Sequence, residues 1–323
     1  MVMNTLGVLG NDVPQSIIFA VCLLAFGCAV DNEWDQASSH LGALHRILDA
    51  RGGVETVDFE LQRTFTWVSY SFAGALRLPP QFPPPLFGAA LSFPLAFLDD
   101  AQIRAWRTAK RFPKNCGFVF DIAARLHQIG LSGSPEYYED IDQRALSNVY
   151  FEATHHALAI QVDEPWTQIL TKGNQAQEHS TMFQTWAAGL SLYIWGTDRH
   201  ARRSRGLASN GELHGPIFAR IKEILDGAGG HQSWPRGKSL EPILVTLFYA
   251  LDACDIFSPW RIWLVDTARK VIEMLKLKRS EEFLKVLEFF PLTPDYRVAA
   301  EHTWAEIIQK ERVTPTLTFS TLQ

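Results

Sequence analysis

Apolar residues recur every three or four positions along most of the chain, and this spacing predicts amphipathic helices. Leu41, Leu44 and Leu48 illustrate it, because they fall at i, i+3 and i+7 and form one stripe on a helix surface. The alternating pattern of strands is essentially absent, and no repeat of fixed period is found. The sequence therefore predicts an all-α fold, a single large irregular helical domain of roughly a dozen helices.

Further apolar helices are predicted along the whole chain. The first is a buried helix at Ile17–Val30, and another carries Arg63, Trp67 and Leu76. Later helices are predicted through Ile103 and Trp106 behind an Asp99-Asp100 cap, at Phe118–Ile129, from Pro135–Ile141 onwards, and at Trp186–Trp195, Ile217–Leu225, Leu240–Leu251, Trp260–Leu275, Ser280–Phe289 and His302–Ile308. The polar stretch Thr197–Gly211 interrupts them and is predicted as a mobile loop.

The predicted domain organisation rests on the absence of an interdomain linker. No long segment rich in Pro, Gly and Ser separates two halves, so one continuous domain is predicted. We expect a short N-terminal extension at residues 1–13, the helical domain at residues 14–310 and a C-terminal tail at residues 311–323. Limited proteolysis is expected to cut first within Thr197–Gly211.

Composition and charge describe a packed, mildly acidic protein. Hydrophobic residues make up 47% of the 323 positions and charged residues 20%, and the formal net charge is −5. A free-standing DNA-binding domain normally carries a basic face. We therefore expect weak or no direct DNA binding.

The cysteines and the first apolar run argue against metal sites and membrane spans. Cys22, Cys28, Cys116 and Cys254 are scattered and form no Cys-x-x-Cys pair, so we expect them to pack in the core of an intracellular protein without metal or cofactor. The run Ile17–Val30 holds 14 residues. A bilayer span needs about 20, so no membrane association is predicted.

Few groups of polar residues suggest catalysis. His155 and His156 are adjacent, and neighbours on a helix point about 100° apart, so a structural role is favoured over joint metal binding. The acidic run Asp31–Asp35 raises an alternative, an all-α metal-dependent cyclase or synthase of the terpene-synthase kind, although no matching second motif follows. No nucleophile has an evident base. A non-enzymatic function is the main prediction.

Arginine residues cluster once, inside the predicted loop, at Arg199, Arg202, Arg203 and Arg205. Such a cluster is typical of a nuclear-import signal or of a patch that contacts phosphate groups. The alternative is a solvated loop between two helices.

The segment His40–Gly53 carries the most specific pattern of the chain. Its leucine stripe ends at Arg-Gly-Gly, where a glycine can adopt the left-handed conformation that stops a helix. The stripe is predicted to pack on Ile17–Val30, with His45 on the outer face. The next helix runs into a Pro-Phe-Pro loop at residues 79–85. The residues that define this pattern are His40, Leu44, Arg51, Gly52, Gly53 and Trp67.

This order resembles the middle homology region of fungal zinc-cluster transcription factors, where a helix ending in Arg-Gly-Gly precedes a helix that runs into a Pro-Phe-Pro loop. Pro242–Ala250, Pro259–Leu264 and Glu281–Phe289 are similar to the pattern seen late in such chains, with Trp304 as the last aromatic. The resemblance spans about Ile17 to Trp304. Family members typically carry an N-terminal cluster of six cysteines that binds zinc, and this sequence has no such cluster.

The resemblance implies a transcriptional regulator, a fungal-specific transcription factor domain without its zinc cluster. Such a protein would act in the nucleus, with the cytoplasm as a second location, and would control a fungal gene cluster, for example one of secondary metabolism. Its partners would be proteins of the transcription machinery, a DNA-binding partner or a second copy of the chain. An aromatic-lined cleft without carboxylates would favour the regulator, whereas convergent carboxylates would favour the enzyme.

Overall fold

Helices are the only regular secondary structure of the residues that the computed structural model describes, which are 13–88, 91–113, 116–170, 174–204, 206, 211–227 and 230–309. The all-α prediction is confirmed. In chain order the α-helices are α1 (Gln15–Val30), α2 (Trp34–Ala50), α3 (Phe59–Leu76), α4 (Leu95–Ala109), α5 (Gly117–Ser132), α6 (Gln143–Asp163), α7 (Asn174–Ile194), α8 (Gly196–Ser204), α9 (Gly215–Asp226), α10 (Glu241–Ala253), α11 (Trp260–Leu275), α12 (Ser280–Leu287) and α13 (Pro294–Ile308). None of these described helices is both long and apolar enough to span a membrane.

Helices α1, α2 and α3 form a core of their own at the N-terminal end. The stripe Leu41, Leu44 and Leu48 is buried in it, together with Ile18 and Cys22 of α1. This packing confirms the predicted contact between the two helices. Burial of a leucine side chain contributes roughly 1.5–3 kcal/mol, so the stripe is a major source of stability for this end of the domain.

Two glycines end α2 as the sequence predicts. Gly52 and Gly53 have φ angles of +98° and +115°, which L side chains rarely adopt. The Gly53 N–H donates to the Leu48 carbonyl at 2.9 Å and the Gly52 N–H to the Asp49 carbonyl at 3.0 Å, the two bonds of a Schellman motif. The guanidinium of Arg51 then donates to the backbone carbonyls of Val13 and Thr56. The Arg-Gly-Gly sequence thus reverses the chain and ties it to the start of α1.

The Pro-Phe-Pro loop packs across α2 and α3. Phe82 lies edge-on to Phe65 of α3, with ring centroids 5.0 Å apart, and stacks on His45 of α2 at 4.6 Å. The prediction that His45 lies on the outer face of α2 is therefore wrong. The loop covers it, and burial lowers its pKa.

Arg63 of α3 fixes the other side of this loop. Its guanidinium donates to the Pro85 carbonyl at 2.7 Å and to the Ser147 hydroxyl of α6. It also lies over the rings of Phe87 and Phe151, 4.4 Å from each centroid. Cation–π contacts of this kind stabilise by roughly 0.5–2 kcal/mol, so Arg63 joins α3, the loop and α6.

The larger core surrounds α10. Every residue of α10 is buried, and α7, α8, α11 and α13 all pack against it. A helix that is apolar all round must lie inside the domain. Helix α7 continues from this core to α9, which in turn contacts α3.

Two predicted helix starts are wrong. Helix α4 begins at Leu95, after Pro94, so Asp99 and Asp100 lie inside it instead of capping it. Pro135–Ile141 forms turns, and α6 starts only at Gln143. The reason is the Asp142 carboxylate, which accepts the Arg144 N–H at 2.8 Å and so caps the helix.

Candidate functional site

The arginine cluster lies on a helix, not in a loop. Residues Gly196–Ser204 form α8, which follows α7 after a single residue, so the predicted mobile loop at Thr197–Gly211 is wrong for its first part. Residues 205 and 207–210 lie outside the described residues. Helix α8 packs against α7 and α10.

Asp252, near the end of α10, holds three side chains of α8. Its Oδ2 accepts from Arg199 Nη2 at 2.9 Å, and its Oδ1 lies 3.1 Å from His200 Nε2 and 2.9 Å from Arg203 Nη1. Nη1 of Arg199 donates to the Leu192 carbonyl at 2.9 Å, and Nη2 of Arg199 also donates to the Tyr296 hydroxyl at 3.1 Å. Burial would raise the pKa of Asp252, but these donors and positive charges outweigh it and hold that pKa well below its usual value.

This network decides what the cluster can contact. Arg199 is buried in an ion pair, so its guanidinium does not face solvent. For this residue, both the predicted import or phosphate-contacting patch and the alternative of a solvated loop are therefore wrong. Arg203 is partly exposed and also pairs with Asp252. The side chain of Arg202 and the whole of Arg205 lie outside the described residues.

The residues of the family-like pattern divide into two groups. Leu44, Arg51, Gly52 and Gly53 are structural, as described above, and His40 is half-buried on α2. Trp67 of α3 differs, because 42% of it is exposed. It contacts Phe26 of α1, with ring centroids 5.1 Å apart, and it lines the most apolar cavity described in this chain.

That cavity, here called the aromatic cavity, has a volume of about 510 Å³. It opens between α3, the end of α5, the start and middle of α6, and the junction of α7 with α8. None of its lining residues is acidic, basic or a histidine. Six of them are aromatic: Trp67, Tyr70, Tyr138, Tyr150, Phe151 and Trp195.

The polar side chains that line the aromatic cavity are those of its tyrosines and of Ser132, Gln143, Ser147, Thr154 and Thr197. Hydrogen bonds define the state of two of the tyrosine hydroxyls. Tyr150 donates to the Thr197 hydroxyl at 2.9 Å, and Tyr70 donates to the Phe82 carbonyl at 2.8 Å. Burial raises the pKa of both phenols, so they are neutral at physiological pH. Since each proton is already donated, both oxygens present lone pairs as acceptors. The cavity therefore suits an apolar or aromatic molecule that carries a hydrogen-bond donor.

The residues considered for catalysis do not converge on this cavity. His155 and His156 are half-buried on α6, and desolvation lowers the pKa of each. Burial also raises the pKa of Cys22 to about 12 and of Cys116 to about 11, which makes these thiols unreactive. Within the described residues, no three His, Cys, Asp or Glu side chains are grouped so that they could hold a metal ion.

One face of α6 carries a signal for the cavity in its sequence. Ser147, Tyr150, Phe151 and Thr154 fall at i, i+3, i+4 and i+7 and form one face of α6. Such a face normally packs into a core, but here it borders open space. The distinction depends on the neighbouring helices, which the local sequence does not specify.

Comparison of the chain with protein-family models, with curated proteins and with solved structures finds no match in any of the three. The resemblance to fungal regulators therefore depends on the residues quoted above. What the site can do is inferred from its geometry.

Proposed function

We propose that this chain is a helical regulatory protein that binds a small apolar molecule in the aromatic cavity and controls transcription through other proteins. The observation that carries the proposal is the cavity itself, lined by six aromatic side chains and by no carboxylate, lysine, arginine or histidine. An aromatic-lined cleft without carboxylates favours a ligand-responsive regulator over a metal-dependent cyclase.

The size and chemistry of the cavity support a ligand-binding role. Its volume of about 510 Å³ lies within the range of small-molecule sites. Aromatic side chains bind flat apolar ligands by stacking, and the two tyrosine oxygens select for a donor on the ligand. A ligand with one N–H or O–H group on an aromatic framework meets both requirements.

The position of the cavity suggests how ligand binding would affect the interaction with a partner protein. It is bordered by α3, α6 and the α7–α8 junction, which come from distant parts of the chain. A ligand that contacts all of them favours the arrangement in which they are close together. The partners in this proposal are proteins of the transcription machinery, a DNA-binding protein or a second copy of the chain, and the location is the nucleus.

Binding can be tested with N-phenyl-1-naphthylamine, an aromatic amine with one N–H donor whose fluorescence rises in apolar sites. We expect micromolar binding, and Trp67→Ala should weaken it at least about tenfold, since a stacking contact is lost. Trp106→Ala is the matched control, because Trp106 is exposed on α4 and does not line the cavity. Equal binding by both variants would contradict a ligand site in this cavity.

Transcriptional control needs a separate test. The full chain, fused to an unrelated DNA-binding domain, should alter expression of a reporter gene in fungal cells, and Trp67→Ala should change that response while Trp106→Ala does not. A fusion that binds the reporter promoter without any effect on expression would refute the regulatory proposal. The isolated chain should bind DNA only weakly, with an affinity that falls as salt rises.

A further inference from the structure

A second cavity, of about 310 Å³, lies where α6, α7 and α9 meet, separate from the aromatic cavity. We name it the polar cavity. It shares no lining residue with the aromatic cavity. The residues on which its chemistry depends are Arg77, Gln161, Glu164, Trp166, Gln184 and Arg220.

Three lining side chains of the polar cavity have a buried polar atom with no hydrogen-bond partner among the described residues. They are Trp166 Nε1, Arg220 Nε and Gln161 Oε1. Trp166 is only 1% exposed and Gln161 only 4%. An unpaired buried donor or acceptor costs about 1–3 kcal/mol, so three at one cavity suggest a ligand that satisfies them.

The polar cavity is lined by two arginines, Arg77 and Arg220, and by two glutamates, Glu164 and the exposed Glu223. Arg77 is paired with Glu164, whose Oε1 also accepts from Gln184 Nε2 at 3.2 Å. Arg220 donates to the Gly74 carbonyl at 3.1 Å and forms no ion pair within the described part of the chain. Burial, and then the nearby charge of Arg77, lower the pKa of Arg220 to about 10, so it is still a cation at pH 7. A carboxylate in the cavity would give Arg220 the ion-pair partner that it lacks within the described residues.

We propose that the polar cavity binds a small organic acid that also carries a hydrogen-bond donor. Its carboxylate accepts from Arg220 Nε and Trp166 Nε1, and its donor group binds Gln161 Oε1. Bonds from charged and indole donors to a carboxylate are the strong, directional contacts that fix such a ligand. This inference goes beyond the proposed function, because it concerns a different cavity and does not require the aromatic one.

A matched set of four-carbon probes tests the proposal by calorimetric titration of the full chain. 4-Aminobutyrate has both groups, butyrate has only the acid, and butylamine has only the donor. We expect 4-aminobutyrate to bind most tightly, butyrate more weakly, and butylamine not at all. Absence of binding by both acids at about 10 mM, or equal binding by butylamine, would overturn the proposal.

Two variants locate the binding site. Trp166→Phe removes the indole donor but keeps a ring stacked on Phe183, and should weaken 4-aminobutyrate binding roughly tenfold. Arg220→Gln retains a donor for the Gly74 carbonyl but removes the charge, and should weaken binding roughly a hundredfold. Thermal melts of both variants show whether the fold is intact.

Two further substitutions serve as controls. Trp234→Phe removes an indole N–H that donates to Leu225 outside the cavity, and Arg279→Gln removes an exposed arginine. Both should bind 4-aminobutyrate like the unmodified chain. If Trp166→Phe and Arg220→Gln also bind normally, the acid is bound elsewhere and the proposal is wrong.

Discussion

Arg199 of α8 and Asp252 of α10 form an ion pair of 2.9 Å in which the two side chains are only 3% and 2% exposed. Part of the arginine cluster is thus buried and holds α8 in place by an ion pair inside the domain. The pair fastens α8, which begins beside the aromatic cavity, to the most buried helix of the domain. Buried pairs depend on both partners, since either charge alone would be stranded without water.

Asp252→Asn should therefore destabilise the protein by roughly 3–5 kcal/mol, because it leaves Arg199 buried without a countercharge. Urea unfolding measures the loss. The control is Asp226→Asn, which removes an exposed partner of Lys222 and should cost no more than about 0.5 kcal/mol. Similar losses for both variants would show that the buried pair has no special importance.

The same variant should expose α8 to protease. In the unmodified chain, trypsin should cut slowly after Arg199 and Arg203, because both side chains are held by Asp252. Asp252→Asn should speed these two cuts, as mass spectrometry of early fragments can show. Rapid cutting at both sites in the unmodified chain would contradict the anchored position of α8.

The pH dependence of stability should include a contribution from His127. Its Nε2 lies 2.8 Å from the Thr108 hydroxyl, which itself donates to the Phe289 carbonyl at 2.6 Å, so Nε2 carries the proton and the ring is neutral. Burial, together with the charges of Arg104 and Arg107, lowers the pKa of His127 from 6.5 to about 3. Between pH 6.5 and about 3, the His127 imidazole is protonated in the unfolded chain but not in the folded chain. Its contribution to the free energy of unfolding is therefore complete above pH 6.5 and declines as pH falls towards 3.

This difference in proton binding makes the free energy of unfolding fall by about 1.4 kcal/mol for each pH unit below 6.5. His127→Leu should remove this slope. The unfolding free energy of the unmodified chain should therefore fall more than that of the variant between about pH 7 and about pH 5. His302→Leu, at an exposed position, is the matched control and should keep the slope. Parallel curves for the His127 variant and the unmodified chain would exclude a neutral buried imidazole.

Gly196→Ala should disturb the junction of α7 and α8. A Cβ atom at this position would overlap the Tyr296 hydroxyl, the group that accepts from Arg199. Overpacking of this kind costs about 1–3 kcal/mol or more, to be measured by thermal melts. Gly215→Ala is the control, since open space surrounds that position, and it should be neutral or slightly stabilising. Equal melting temperatures would show that Tyr296 moves freely.

The pattern on α2 makes a prediction about two neighbouring residues. Leu44→Ala should cost about 2–5 kcal/mol, because it leaves a cavity between α1 and α2. His45→Ala should cost about 1 kcal/mol, since it removes the ring stacked on Phe82. The outer-face position that the sequence predicts for His45 would instead make this substitution nearly neutral. A cost below about 0.3 kcal/mol would restore that expectation.

The sequence predicts those structural features that depend on residues close together in the chain. The leucine stripe of α2 and its glycine stop were predicted because spacing and backbone conformation are written within one short segment. The helix α8 was missed because its stabilising partner, Asp252, lies on α10 and is distant in sequence. His45 was misplaced for the same reason, since the ring that covers it comes from the loop after α3. The two cavities arise where three or more helices meet, and no local pattern describes that space.

The complete burial of α10 has a kinetic consequence. Every residue of this helix is buried, and its neighbours α7, α8, α11 and α13 come from both sides of it in the sequence. Its amide hydrogens can therefore reach solvent only when the surrounding helices separate, which amounts to opening the whole larger core. Deuterium uptake at Leu244–Leu251 would thus report global unfolding, whereas uptake elsewhere reports local fraying. Amide exchange in α10 therefore measures how often the folded domain opens as a whole.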